Sequence, residues 1–166
     1  MIDKNSMLWQ YLSTHQKELI EDGEYLFETA RAHSQSLHDY SYLIFPYAKA
    51  YEGFLKKLFF DLGFIDEQTY RGEHFRIGRS LNPSLEPALR FESMYDKIVG
   101  YCGGKDLANK LWHTWKRGRN LLFHYFPHNL HKLSFTQAVS MRDTIVSAME
   151  QAVEACKIKN IAPSNS

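Results

Sequence analysis

Ser41-Tyr42-Leu43-Ile44-Phe45-Pro46-Tyr47-Ala48-Lys49-Ala50-Tyr51-Glu52-Gly53-Phe54-Leu55-Lys56-Lys57-Leu58-Phe59-Phe60-Asp61-Leu62-Gly63 reads as a single helix. Ile44, Tyr47, Ala48, Tyr51, Leu55, Leu58, Phe59 and Leu62 recur at the i, i+3, i+4, i+7 positions that place them on one face. Gly63 is a natural residue just past a helix end, where the backbone turns left-handed. Pro46 falls in the first turn or two, where it is tolerated at the first helical position and kinks the helix elsewhere. Lys49, Glu52, Lys56 and Lys57 interrupt the apolar run, so it is no membrane span.

The same periodicity continues on both sides. Upstream, Leu12, Leu19, Ile20, Gly23, Phe27 and Ala30 predict a helix from about Met7 to Ala32, weakened or bent at Gly23. Downstream, residues 64–89 read as a long irregular connection with a short helix after Asp66. It carries Arg71, Arg76, Arg79 and His74, and long loops in compact domains are often functional. Helix returns from Ala88 to about Tyr101 and stops at Gly103-Gly104. Another runs from Lys105 towards Phe126 and is closed by Pro127. The last begins at Ser134, where Ser134-Phe135-Thr136-Gln137 is a capping-box pattern. Its stripe is Ala138, Met141, Ile145, Ala148, Met149, Ala152 and Cys156. The expected fold is all-α: one domain over residues 1–166, a bundle of four to five main helices with a frayed tail from about residue 160.

Composition agrees with a folded domain. The chain has 166 residues, 44% of them hydrophobic and 23% charged, enough apolar surface for one sizeable core. Two cysteines, Cys102 and Cys156, make no disulfide framework and read as buried thiols in a reducing cytoplasm. No secretory signal is visible at the start. The net charge of +1 argues against a surface coated in positive charge, yet it hides a gradient. Residues 1–40 carry three positive and seven negative side chains, whereas residues 105–132 carry six positive and one negative. The basic stretch also holds His113, His124, His128 and His131, half of the eight histidines. His124, His128 and His131 lack a nearby carboxylate or cysteine to complete a metal site, and no cofactor is implied.

On a helical wheel His113, Arg117, Asn120 and His124 share one face, opposite Leu111, Trp112, Trp115 and Leu122. Arg119 lies about 140° from His124 on an ideal helix, on the apolar flank. Three resolutions are open. Gly118 breaks or bends the helix; Arg119 pairs with a carboxylate of a neighbouring helix, for which Glu52 is the only acid between Tyr40 and Phe60; or that flank is a subunit interface.

Arg119-Asn120-Leu121-Leu122-Phe123-His124 resembles the R-x(4–6)-H signature of HEPN-domain ribonucleases, including the polar residue after the arginine. Arg117 to His124 also fits the spacing range, so either arginine can be the motif residue. The segment Tyr47 to Leu58, with Glu52, is similar to the acidic helix of the RnlA/LsoA (RNase LS) toxin branch, and the resemblance spans roughly residues 40–155. Tyr125 and Phe126 at +1 and +2 from the histidine depart from the HepT-type pattern, which has Tyr at +2. The length fits a standalone unit without the additional N-terminal domains of RnlA-type toxins.

The resemblance implies a metal-independent endoribonuclease that leaves 2′,3′-cyclic phosphate and 5′-OH ends. His124 would be general base or acid, since histidine titrates near neutrality. Arg119 would stabilise the transition state. Asn120 would orient His124 or a phosphate oxygen, and Glu52 would orient Arg119. Arg117, Lys116, His113, Arg76 and Arg79 are candidate RNA contacts. A toxin–antitoxin or phage-defence role is implied, with an antitoxin or regulatory partner, a homodimer with a composite site, and no membrane. The alternative is a non-catalytic HEPN-like module that binds RNA or protein; a scaffold without RNA contact is more remote.

Overall fold

A computed structural model describes residues 2–32, 37–124, 127 and 131–157. Among these residues the chain is helical throughout, with no strand, in line with the all-α expectation. None of the helices is long and apolar enough to cross a membrane among the described residues.

The first expected helix is two. Helix α1 spans Met7–Tyr11 and α2 spans Thr14–Ala32. Ser6 caps α1 by accepting from the Trp9 N–H. The break at Leu12–Ser13 is a second cap: Ser13 Oγ accepts from the Gln16 N–H at 3.3 Å, and Gln16 Oε1 accepts from the Ser13 N–H at 3.0 Å. This reciprocal pair satisfies donors that an uninterrupted helix would bond itself. Helix α2 runs unbroken through Gly23. The Tyr47 ring occupies the space where a Cβ would project, so the glycine lets α2 lie close against the central helix.

That central helix is α3, Phe45–Asp61, preceded by a 3₁₀ turn at Ser41–Ile44. Pro46 sits in its first turn, where the N–H that proline lacks would have had no helical acceptor. Past its end Gly63 has φ +70°, and the Phe64 N–H returns to the Phe59 carbonyl at 2.8 Å, which closes the helix. Tyr47, Tyr51, Phe54, Leu55, Leu58 and Phe59 are all at most 1% exposed. Packed against by α2 on one side and the C-terminal helix on another, α3 is the axis of the core. The Tyr51 hydroxyl, pushed well above its ordinary pKa by burial, donates to the Leu111 carbonyl at 3.0 Å.

The connection after α3 is more ordered than the sequence suggests. It contains α4 (Glu67–Arg71), capped by Asp66; α5 (Ile77–Ser80); and a 3₁₀ turn at Pro87–Glu92. The helix expected from Ala88 begins only after Ser93, whose side chain caps α6 (Met94–Tyr101). Helix α7 (Lys105–Trp115) is shorter than the expected Lys105–Phe126, because the backbone widens into a π turn at Lys116–Asn120. Phe126 lies outside the described residues, as does the tail expected to fray from residue 160. The last helix, α8 (Phe135–Ala155), has the capping box at Ser134 and Gln137.

The two cysteines are not free thiols. Cys102 and Cys156 form a disulfide between the ends of α6 and α8, with Cα atoms 4.3 Å apart. Their separation of 54 residues gives no hint of that proximity, which the packing of α6 on α7 and α7 on α8 creates. Closing a loop of that size removes unfolded-state entropy worth roughly 4 kcal/mol. Reduction is therefore expected to lower the melting temperature by several degrees; calorimetry with and without dithiothreitol checks this, and an unchanged transition contradicts it.

Asp39 fastens the start of the 3₁₀ turn to the start of α8. It accepts from the Ser41 hydroxyl at 2.6 Å, the Ser41 N–H at 2.9 Å and the Leu133 N–H at 3.0 Å. Partial burial opposes its ionisation, but these hydrogen bonds and the charge of Lys132 prevail and hold its pKa below the ordinary carboxylate value. A depressed carboxylate contributes stability above its unfolded pKa of about 3.9 and loses it as pH falls through the folded value. Asp39→Asn should therefore flatten the acid limb of a urea-stability profile below about pH 4; an acid limb identical to wild type would contradict this.

Candidate active site

Glu52 sits on the one edge of α3 that the core leaves uncovered. Phe45, Lys49 and Glu52 follow each other at steps of four and three on that edge, and Phe45 is 57% exposed. Across from them stands the π turn. The Leu121 N–H bonds the Lys116 carbonyl at 2.8 Å, one residue further back than an α-helix would reach. The extra residue per turn rotates everything that follows. Gly118 makes this possible at the back of the turn: a Cβ there would lie 3.2 Å from Ile145 and 3.4 Å from Met141, so the turn lies tightly against α8.

Two of the three resolutions open for Arg119 hold together. The helix changes at Gly118, and Arg119 pairs with Glu52. Arg119 Nε lies 3.4 Å from Glu52 Oε2, and the guanidinium carbon is 5.3 Å from the centre of the Trp115 ring. Trp115 is only 5% exposed, so it forms a fixed floor beneath the cation. A tight arginine–carboxylate pair measures about 2.7–2.9 Å. At 3.4 Å, with both side chains about 40% exposed, this pair holds the guanidinium without saturating it.

Beyond the π turn the chain passes through Leu121 and Leu122 to Phe123 and His124. His124 is not helical, which departs from the expected wheel. It lines a cavity of about 310 Å³ together with Phe45, Ala48, Lys49, Glu52, Arg119 and Phe123. The Phe45 and Phe123 rings meet edge to face at 5.7 Å on the cavity wall. Glu52, Arg119 and His124 thus come together in one concavity, together with a lysine and two exposed aromatic rings.

The other expected residues lie elsewhere. Asn120 is half-buried in the π turn and is not among the residues lining the cavity. Lys116 is exposed and lines neither this cavity nor the α7–α8 groove. His113 and Arg117 face that groove together with His131, so the single polar stripe expected on the helix is divided between two concavities. Arg76, Arg79 and His74 line a third cavity, which also contains Asp66 and Glu92. Arg79 there faces Glu92 at 3.9 Å, and Arg71 pairs with Glu67 at 2.9 Å on the surface. His128 is outside the described residues. Among the described residues, no three His, Cys, Asp or Glu side chains gather as a metal site would require.

Sequence reasoning missed Phe45, Lys49, Phe123 and Trp115. The signal for Phe45 and Lys49 was present: they stand two turns and one turn before Glu52 on the edge of α3 that the apolar stripe omits. The signal for Trp115 was present too: it stands four residues before Arg119, a spacing that sets two side chains beside each other on a helix.

The looseness of the Glu52–Arg119 pair has a measurable consequence. A double-mutant cycle of Glu52→Gln and Arg119→Ala, read by urea unfolding, should give a coupling of about 1 kcal/mol or less. A coupling above about 2 kcal/mol would mean a structural clamp.

The chain matches no protein-family model, no curated protein and no solved structure.

Proposed function

We propose that this chain is a metal-independent endoribonuclease, and that Glu52, Arg119 and His124 form its reactive group. The observation that carries the reading is convergence. Glu52 and Arg119 are 67 residues apart in sequence, yet they pair at the rim of the cavity that His124 lines. A carboxylate, a permanent cation and an imidazole around one concavity suit transphosphorylation of RNA.

The reaction needs a group to take the 2′-OH proton as O2′ bonds to phosphorus. It needs another to protonate O5′ as the P–O5′ bond breaks, leaving a 2′,3′-cyclic phosphate and a 5′-OH. His124 fills one of these roles. Arg119, with Lys49 nearby, offsets the charge that grows on the phosphorane oxygens, and Glu52 keeps the guanidinium turned towards the cavity. Phe45 and Phe123 give an unpaired base an apolar surface to rest on.

His124 is the one histidine that lines this cavity among the described residues, and proton transfer at both oxygens calls for two groups. A second copy of the chain that contributes its own His124 would complete the pair, which is the physical case for a homodimer with a composite site. The resemblance to HEPN toxins of the RnlA/LsoA branch suggests a toxin of a toxin–antitoxin or phage-defence system, held inactive by a partner. We assign the activity to the cytoplasm, where RNA is abundant.

Expression is expected to arrest growth, and the purified protein to cleave RNA in EDTA with cyclic-phosphate ends. His124→Ala should lower kcat by about 10²–10⁴-fold and Arg119→Ala by about 10²–10³-fold. Binding of RNA without cleavage by wild type would point instead to a non-catalytic module, and strict magnesium dependence to a metal nuclease.

A further inference from the structure

The groove between α7 and α8 has a volume of about 470 Å³, the scale of a nucleotide site. Lys110, His113 and Arg117 enter it from α7 and the π turn, and His131 from the segment before α8. Gln137, Ser140 and Thr144 face them from α8. Every polar side chain here can donate a hydrogen bond, and no carboxylate lines the groove among the described residues. Other concavities differ: Glu52 lies in one and Asp66 and Glu92 in another, while two shallower ones that Lys110 also borders contain Asp106 and Glu154, and Asp143.

The cations of the groove are also uncompensated. Arg71, Arg79, Arg90, Arg119 and Arg142 each have a carboxylate within 4 Å. None of the ion pairs among the described residues involves Lys110, His113, Arg117 or His131. Lys110 is positioned by the Ser147 hydroxyl at 2.9 Å, a neutral partner that leaves its charge intact. Asp143 of α8, which shares a neighbouring concavity with Lys110, is engaged by Arg142 at 2.8 Å. Beneath the donors Leu121, Leu122, Leu133 and Met141 form an apolar floor. Uncompensated cations above an apolar floor suit a ligand with phosphate and a flat hydrophobic body.

Leu121 and Leu122 border this groove, and the next two residues, Phe123 and His124, border the reactive cavity. The two concavities therefore lie on either side of one short stretch of chain. We propose that the α7–α8 groove binds the phosphodiester backbone of a single-stranded RNA, as a subsite for nucleotides beyond the scissile one. The proposal takes its choice of ligand from the ribonuclease reading. Lys110 and Arg117 hold the phosphates, and the leucine floor receives a base or ribose.

The test measures binding apart from cleavage. The probe is a short fluorescent oligoribonucleotide with 2′-O-methyl groups, which cannot be cut, followed by anisotropy across a salt series. The Lys110→Ser, Arg117→Ser double variant should bind about tenfold more weakly. Its log–log salt slope should be shallower by about 0.7 for each lost phosphate contact. Thr144→Glu, which adds a negative charge from the opposite wall, should weaken binding in the same direction. Lys4→Ser, remote from the groove, should change neither value. Unchanged affinity and slope in both groove variants overturn the proposal. So does an acidic peptide that displaces the probe at lower concentration than unlabelled RNA. Wild type that binds with this dependence but cleaves nothing leaves the groove standing and removes the ribonuclease reading. Wild type that cleaves while the groove variants bind normally removes the groove alone.

Discussion

The Tyr51 hydroxyl is sealed in the core, and its hydrogen bond to the Leu111 carbonyl ties the middle of α3 to the middle of α7. A buried hydroxyl without such a partner costs about 1–3 kcal/mol, so the two helices are not free to slide past each other or rotate. Burial raises the pKa of this hydroxyl, so it remains a donor. Glu52 follows Tyr51 directly, and Arg119 lies two turns beyond Leu111. The register fixed by one buried bond is thus the register in which carboxylate and guanidinium meet. The stacking of Tyr51 on Phe54, with ring centres 6.4 Å apart, stiffens the same point.

Charge on this protein is organised by compensation more than by total. With a net charge of +1 the surface offers little general attraction for a polyanion. Most arginines are neutralised locally, as Arg90 is by Asp96 at 2.6 Å and Arg142 by Glu24 and Asp143. The more exposed of these, such as Arg90–Asp96, contribute little stability, whereas Arg142 and Glu24 are largely buried. Against that background Lys110 and Arg117 stand out as two cations of one groove that join no ion pair among the described residues. The acidic N-terminal quarter takes part in the compensation: Glu24 reaches Arg142 on α8, and Glu21 reaches Lys4.

Much of the fold was legible because it rests on local signals. The stripe of α3, the left-handed Gly63 and the capping box at Ser134 each act within a few residues. What was not legible depends on competition or on tertiary contact. Ser13 and Gln16 cap each other inside a run whose periodicity alone predicts continuity. The π turn has no residue signature apart from Gly118, and its stability comes from packing on α8. The bond between Cys102 and Cys156 requires two helix ends to meet. In the candidate site, Glu52, Arg119 and His124 could be read from motif and spacing. The allocation of His113 and Arg117 to a different concavity could not, because a wheel drawn at 100° per residue fails once the helix widens.

The disulfide divides the chain in a way that the helices do not. Residues 102 to 156 form a covalently closed ring containing α7, the π turn, His124 and α8, while α3 belongs to the open chain before it. Arg119 and His124 are carried by the ring and Glu52 by the linear part, so the candidate site lies on the seam between two topologically distinct pieces. Should the ring come away from α3, both leave together and stay near each other, whereas Glu52 is left behind. A nick in the ring leaves its two fragments tethered, while one between α3 and Cys102 releases them. The cavity is thus held by covalent closure on one side and by packing alone on the other.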